Sequence, residues 1–221
     1  MSGRAAVFID KDGTLVPDIP FNVCPERIEL SAGAAGGLRL LHRAGFPLVI
    51  VSNQSGVARG HFAEEQLVGV RRRIEHLMAE IGVPLAAFYY CPHHPEGVVP
   101  RFAIACECRK PKPGMFQQAA RELNLDLQRS WMIGDIRDDI EAAHLAGCRA
   151  VLLRGAGETK SELSAIRQPD AAARDFEEAA IIIVESRWIE ATGPNQKNGD
   201  IASAARNRGA ICASAKEACN G

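Results

Sequence analysis

The stretch Val7–Leu15, VFIDKDGTL, sets three apolar residues ahead of two carboxylates spaced by one lysine, then breaks the run with Gly13 and Thr14. The apolar run reads as a strand, and residues i and i+2 of a strand share a face. Asp10 and Asp12 are therefore expected side by side, either as the solvated end of a strand or as a matched catalytic pair.

Similar short, β-branched runs recur at 47–51, 87–90, 131–133 and 150–153, after the first at 6–9. Between them, 34–44, 64–81, 115–123 and 138–146 place apolar residues three and four apart, the helical period. Strands alternating with helices predict an α/β fold with a doubly wound, Rossmann-like parallel sheet. Ligands of such sheets bind outside the carboxyl ends of the strands. The chemically loaded residues here follow strands: Asp10 and Asp12, then Ser52, then Asp135. A final helix is expected within 169–190, covering one face of the sheet, so the domain is set at 1–189. Residues 190–221 are rich in Gly, Asn, Ala and charge; that composition predicts a disordered tail, with a short partner-binding helix at 201–206 as the alternative.

The 221 residues carry a net charge of -1, which offers no electrostatic track for nucleic acid. No run approaches the roughly 18 apolar residues of a membrane span. No apolar signal segment opens the chain, so a cytoplasmic location is expected. Seven cysteines fit a reducing compartment better than a disulfide framework.

An aspartate can attack phosphorus to form an aspartyl-phosphate, dividing one displacement into two. A second carboxylate can protonate the leaving oxygen and later activate water. Acids facing an anionic ester need a cation, Mg²⁺ being the usual one, and a further carboxylate to hold it. WMIGDIRDD supplies Asp135 at a strand end. Asp139 could hold the metal through water or orient Asp135, while Asp138 suits helix capping. In VSNQSGVARG, the Ser52 hydroxyl and the backbone amides after it resemble a phosphate cradle, and Arg59 could reach a second anion. In CECRKPKPGM, Lys110 or Lys112 could neutralise phosphoryl oxygens. Cys91-x-His93, twelve residues, then Cys106-x-Cys108 gives four soft ligands for a closed zinc site, with His94 competing for the histidine place. Such a site would brace the loop carrying Arg109 and Lys110.

Taken in order, Asp10-x-Asp12-Gly13-Thr14, Ser52-Asn53-Gln54-Ser55-Gly56, Lys110 and Gly134-Asp135 resemble the four motifs of the haloacid dehalogenase superfamily phosphatases. More narrowly, SNQSGVARG, CPHHPEG and CECRKPKPGM are similar to the D-glycero-D-manno-heptose 1,7-bisphosphate 7-phosphatases, whose relatives include zinc-containing histidinol-phosphatases. The resemblance implies Asp10 as nucleophile and Mg²⁺ ligand. It implies Asp12 as general acid/base, ligating through its carbonyl, and Asp135 as the remaining Mg²⁺ ligand. Ser52 and Lys110 would hold phosphate, Arg109 would contact substrate, and zinc would take Cys91, His93, Cys106 and Cys108; Asn53, Gln54 and Arg59 are read beside them as further phosphate- and substrate-binding residues. One departure is Ile136, where those phosphatases carry a lysine, which bears on sugar or anomer preference. The segment after Leu15 is too short for a large cap domain, so an open crevice is expected; the resemblance implies a phosphorylated-sugar substrate, and a monomer is expected. The competing readings are a histidinol-phosphate phosphatase, a polynucleotide phosphatase and a non-catalytic zinc-braced interaction module.

Overall fold

In the computed structural model, which describes residues 3–153 and 164–192, every strand pairing is parallel. The elements alternate along the chain as β1 (Val7–Ile9), α1 (Ala34–Arg43), β2 (Leu48–Asn53), α2 (Gln66–Glu80) and β3 (Ala87–Cys91). Then follow α3 (Gly114–Leu123), β4 (Trp131–Gly134), α4 (Arg137–Ala146), β5 (Arg149–Leu153), β6 (Ala171–Ala173) and α5 (Phe176–Thr192). The sheet order is β3-β2-β1-β4-β5-β6. Strand order reverses between β1 and β4, and a sheet of this kind opens its crevice at that point.

Side-chain alternation along β1 divides the core. Val7 and Ile9 join Leu38 and Leu41 of α1, Val70 and Ile74 of α2, and Phe176 and Ile183 of α5. Ala6 and Phe8 join Met115 and Phe116 of α3, and Ile140 and Ala143 of α4. Helices thus cover both faces, as the sequence predicts, and each large side chain so buried contributes about 1.5–3 kcal/mol. Among the described residues, the segment between β1 and α1 holds only a short 3-10 turn at Pro25–Arg27. Among the described residues no large cap interrupts the crevice.

One feature differs from expectation. β6 is a run of three alanines, which lacks the β-branched signature of a strand and is recruited by pairing with Val151–Leu153. The compact body extends through Val184, and α5 ends at Thr192. The predicted tail, with its alternative helix at 201–206, lies outside the described residues from 193 onward. Among the described residues no helix is long and apolar enough to cross a membrane.

Candidate active site

β1 ends at Ile9, so strand alternation stops before the first aspartate. The chain turns instead, with the Val16 N–H donating to the Lys11 carbonyl at 2.9 Å and that of Leu15 to the same carbonyl at 3.0 Å. The pairing of the two acids therefore rests on this turn and not on strand alternation. Asp10 is buried and accepts from Lys110 Nζ at 2.5 Å. Asp12 accepts instead from Lys11 Nζ at 2.5 Å through Oδ1, and from Gln54 Nε2 at 2.9 Å through Oδ2. Gly13 makes the turn possible: its φ is +82°, and a Cβ there would lie 2.2 Å from Asp135 Oδ2. Thr14 Oγ1 donates to the other Asp135 oxygen at 3.3 Å.

Asp10, Asp135 and Asp139 bring carboxylate oxygens within 4.8 Å of one another. Asp139 is fully buried, accepts the Ile136 N–H at the start of α4 at 3.3 Å, and pairs with Lys110 at 2.6 Å. Asp138 points elsewhere, to Arg167 at 2.6 Å. The capping role expected of Asp138 thus falls to Asp139. Ile136 itself is 49% exposed.

Lys110 meets three acceptors, the third being the Val51 carbonyl at 2.9 Å. An ammonium has three donors, so a phosphoryl oxygen must displace one of these partners to reach it. Burial pulls the Lys110 pKa down, but Asp10 and Asp139 more than reverse this, holding it above the ordinary lysine range. Burial, joined by Asp139 and Asp12, pushes Asp10 up to about 7 against the attraction of Lys110. Burial and the charge of Asp10 raise Asp135 to about 6, and burial raises Asp139. Four carboxylates (Asp10, Asp12, Asp135, Asp139) against Lys11 and Lys110 leave two negative charges, which one divalent cation balances. The all-oxygen donor set and its crowding fit Mg²⁺.

Ser52 is buried at the end of β2, and its Oγ accepts from Gln54 Nε2 at 2.7 Å. The cradle expected after it is partly spent internally. The Gln54 N–H donates to the Cys91 carbonyl at 2.8 Å, and the Asn53 amide clasps the Lys110 backbone through two hydrogen bonds of 3.0 Å. Asn53 and Gln54 therefore position Lys110, Asp12 and Ser52.

Cys91, at the end of β3, lies 3.5 Å from Cys106 and 3.2 Å from Cys108, sulfur to sulfur, and His93 Nδ1 lies 3.4 Å from Cys108. These spacings exclude disulfides, whose S–S length is about 2.05 Å. They approach the ~3.7 Å edge of a tetrahedron with metal–sulfur bonds of about 2.3 Å. All four donors lie within 4.8 Å of each other, so they fit a closed, four-coordinate metal. The Cys108 thiol falls to about 5, chiefly through its hydrogen bond with Cys91, and His93 helps against the opposing effect of burial. Of the two competing histidines, His93 joins the cluster. Of the two lysines, Lys110 enters the acid site and Lys112 pairs with Glu107 in solvent.

His94 faces Arg59, whose Nη2 lies 2.9 Å from its Nε2, while the Glu96 N–H donates to its Nδ1 at 3.1 Å. The guanidinium only donates, so a neutral His94 ring accepts either from Arg59 at Nε2 or from the Glu96 N–H at Nδ1, and not from both. Burial, then Arg109 and Arg59, lower the His94 pKa. Arg109 Nη1 is buried without a hydrogen-bond partner. Arg59 and Arg109 bring hydrogen donors to His94 from two sides. A cleft of about 270 Å³ is lined by His94, Arg109 and Lys110, and a second of about 290 Å³ by Lys11, Asp12 and Gln54.

The HAD-hydrolase-like family model matches residues 107–179. The D-glycero-β-D-manno-heptose-1,7-bisphosphate 7-phosphatase of Haemophilus ducreyi is 41% identical over 169 residues, covering 73% of this chain and 92% of that protein. The chain belongs to the HAD-like phosphatases. The phosphatase of the same name from Yersinia pestis is 44% identical over 138 residues, covering 62% of this chain and 73% of that one. A solved D,D-heptose 1,7-bisphosphate phosphatase from B. bronchiseptica, complexed with magnesium and phosphate, superposes with a TM-score of 0.71 at 28% identity, covering 82% of this chain and 99% of that one. In this phosphatase, Asp10, Lys110 and Asp135 meet at the acid cluster, and Asp12 and Ser52 share Gln54, while Arg59 sits apart with His94. Sequence reasoning passed over Lys11, although it stands between the two acids, and gave His94 only a rival's place at the thiolate cluster.

Proposed function

We propose that the protein is a Mg²⁺-dependent phosphatase that removes the 7-phosphate of D-glycero-D-manno-heptose 1,7-bisphosphate through an aspartyl-phosphate. The observation that carries this reading is the division of labour between the paired acids. Asp10 is buried against Lys110 and the acid cluster, whereas Asp12 is held by Lys11 and Gln54 on a cleft.

In this reading an Asp10 oxygen attacks phosphorus as the ester P–O bond breaks. Asp12, ionised in the resting site, takes up a proton from water as the anionic ester binds and gives it to the departing alkoxide oxygen. Asp12 then takes a proton from water, which attacks the phosphorus of the acyl phosphate and releases phosphate and the Asp10 carboxylate. Lys110 and the Ser52 O–H hold phosphoryl oxygens, which lowers the barrier as charge is redistributed. Asp10, Asp135 and Asp139 would hold Mg²⁺, with the Asp12 carbonyl as a further ligand. When bound, the ion keeps Asp10 ionised and offsets phosphate charge. Zinc on Cys91, His93, Cys106 and Cys108 would act as a brace with no open position.

The substrate is supported by the names of the relatives and by the donor cluster of Arg59, His94 and Arg109, which suits a second phosphate. We place the enzyme in the cytoplasm as a monomer, where the free thiols of the described residues stay reduced. Phosphate release should show a higher kcat/KM on heptose 1,7-bisphosphate than on histidinol phosphate. The reverse order would overturn the substrate, and no Mg²⁺-stimulated turnover of any phosphate ester would overturn the enzyme.

A further inference from the structure

We propose that Phe21, backed by His61, is the specificity wall against which the carbon skeleton of the leaving group packs. This rests on the reading of Asp12 as the acid that protonates that group. The leaving oxygen must then lie in the cleft that Asp12 lines. That cleft pairs polar groups (Lys11, Asp12, Gln54) with apolar ones (Ile19, Pro20, Phe21), the combination that a polyol with one hydrophobic C–H face requires.

The backbone points to the same ring. The Asn22 N–H donates to the Ile19 carbonyl at 3.1 Å, closing a turn with Pro20 second and Phe21 third. Phe21 has φ +54°, a place where such a turn favours glycine or asparagine. A bulky residue in the left-handed region costs about 1–3 kcal/mol, and Phe21 recovers little of it by burial, since it remains 47% exposed. Its ring instead stacks on His61, with centroids 3.9 Å apart and planes at 27°. His61 is fixed in turn, its N–H donating to the Gly56 carbonyl at 2.9 Å. The same turn carries Arg59, the cation assigned to a second anionic group. A strained, exposed and braced ring beside a cleft is a recognition surface.

The test compares the Mg²⁺-loaded full chain with Phe21→Gly, Phe21→Tyr and His61→Ala on heptose 1,7-bisphosphate and on acetyl phosphate, whose leaving group has only two carbons. Phe21→Gly removes the ring and relieves the backbone, so its melting temperature should equal or exceed that of the wild type. Its KM for the bisphosphate should rise about tenfold, mostly without loss of kcat, and the selectivity for bisphosphate over acetyl phosphate should fall about tenfold. Phe21→Tyr should restore selectivity, and His61→Ala should fall between. An unchanged KM for the bisphosphate in Phe21→Gly, or an equal loss on both esters, overturns the proposal. If the wild type prefers another sugar phosphate, the substrate reading alone fails, and the same ratio measured on that ester decides the role of Phe21. If it turns over acetyl phosphate and no sugar phosphate, both fail.

Discussion

The molecule holds two compact donor clusters that are opposite in design. Asp10, Asp135 and Asp139 stand at the ends of β1 and β4 and on α4, the first and last of them share Lys110, and together they carry more negative charge than their neighbours balance. Cys91, His93, Cys106 and Cys108 close on one another, off the end of β3. An unbalanced set of hard oxygens at a crevice is poised to exchange partners; a saturated set of soft donors holds shape. The two meet through the chain, because Lys110 follows Cys108 by two residues and is clasped by Asn53. Shape at one cluster thereby sets reach at the other.

Three experiments would break or sharpen this contrast. The largest effect is expected from Asp10→Asn, which removes the nucleophile. Turnover should fall about 10³- to 10⁵-fold, yet thermal melting should hold or rise, because the neutral amide escapes the desolvation that raises Asp10. Activity within tenfold of wild type would end the covalent assignment.

Cys108→Ser should act at a distance. Bound metal measured by elemental analysis should drop, and kcat should fall about 10–100-fold as Lys110 loses its register. Loss of metal with unchanged kcat would separate the clusters.

The smallest effect concerns pH. Folded-state values of about 7 for Asp10 and about 6 for Asp135 lie above the ordinary 3.8. For a carboxyl raised on folding, the contribution to stability is fully present below about pH 4 and is lost as pH rises through 6 and 7. Metal-free protein should therefore melt a few degrees lower at pH 8 than at pH 5. Mg²⁺ should raise the melting temperature more at pH 8, since it need not displace protons there. A Mg²⁺ response independent of pH would contradict the charge balance drawn for the acid cluster.

The fold and the principal acids were legible because chemistry-bearing residues directly follow apolar runs, and the soft ligands because four of them crowd one loop. β6 was not, since three alanines carry no strand signal and pairing with β5 alone recruits them. Asp138 and Asp139 both begin α4, and neighbouring helix positions differ by about 100° in direction, so only packing reveals which turns inward. Lys11 escaped notice because alternation would aim it away from the acids, whereas the strand has already ended at Ile9.

Gly13 carries a last consequence. It contributes no group to the reaction, yet a single methyl in its place would occupy the room taken by the Asp135 carboxylate. A saturation survey of this chain would find it as intolerant as Asp10, and for a different reason: at that turn, empty space is itself a required reagent.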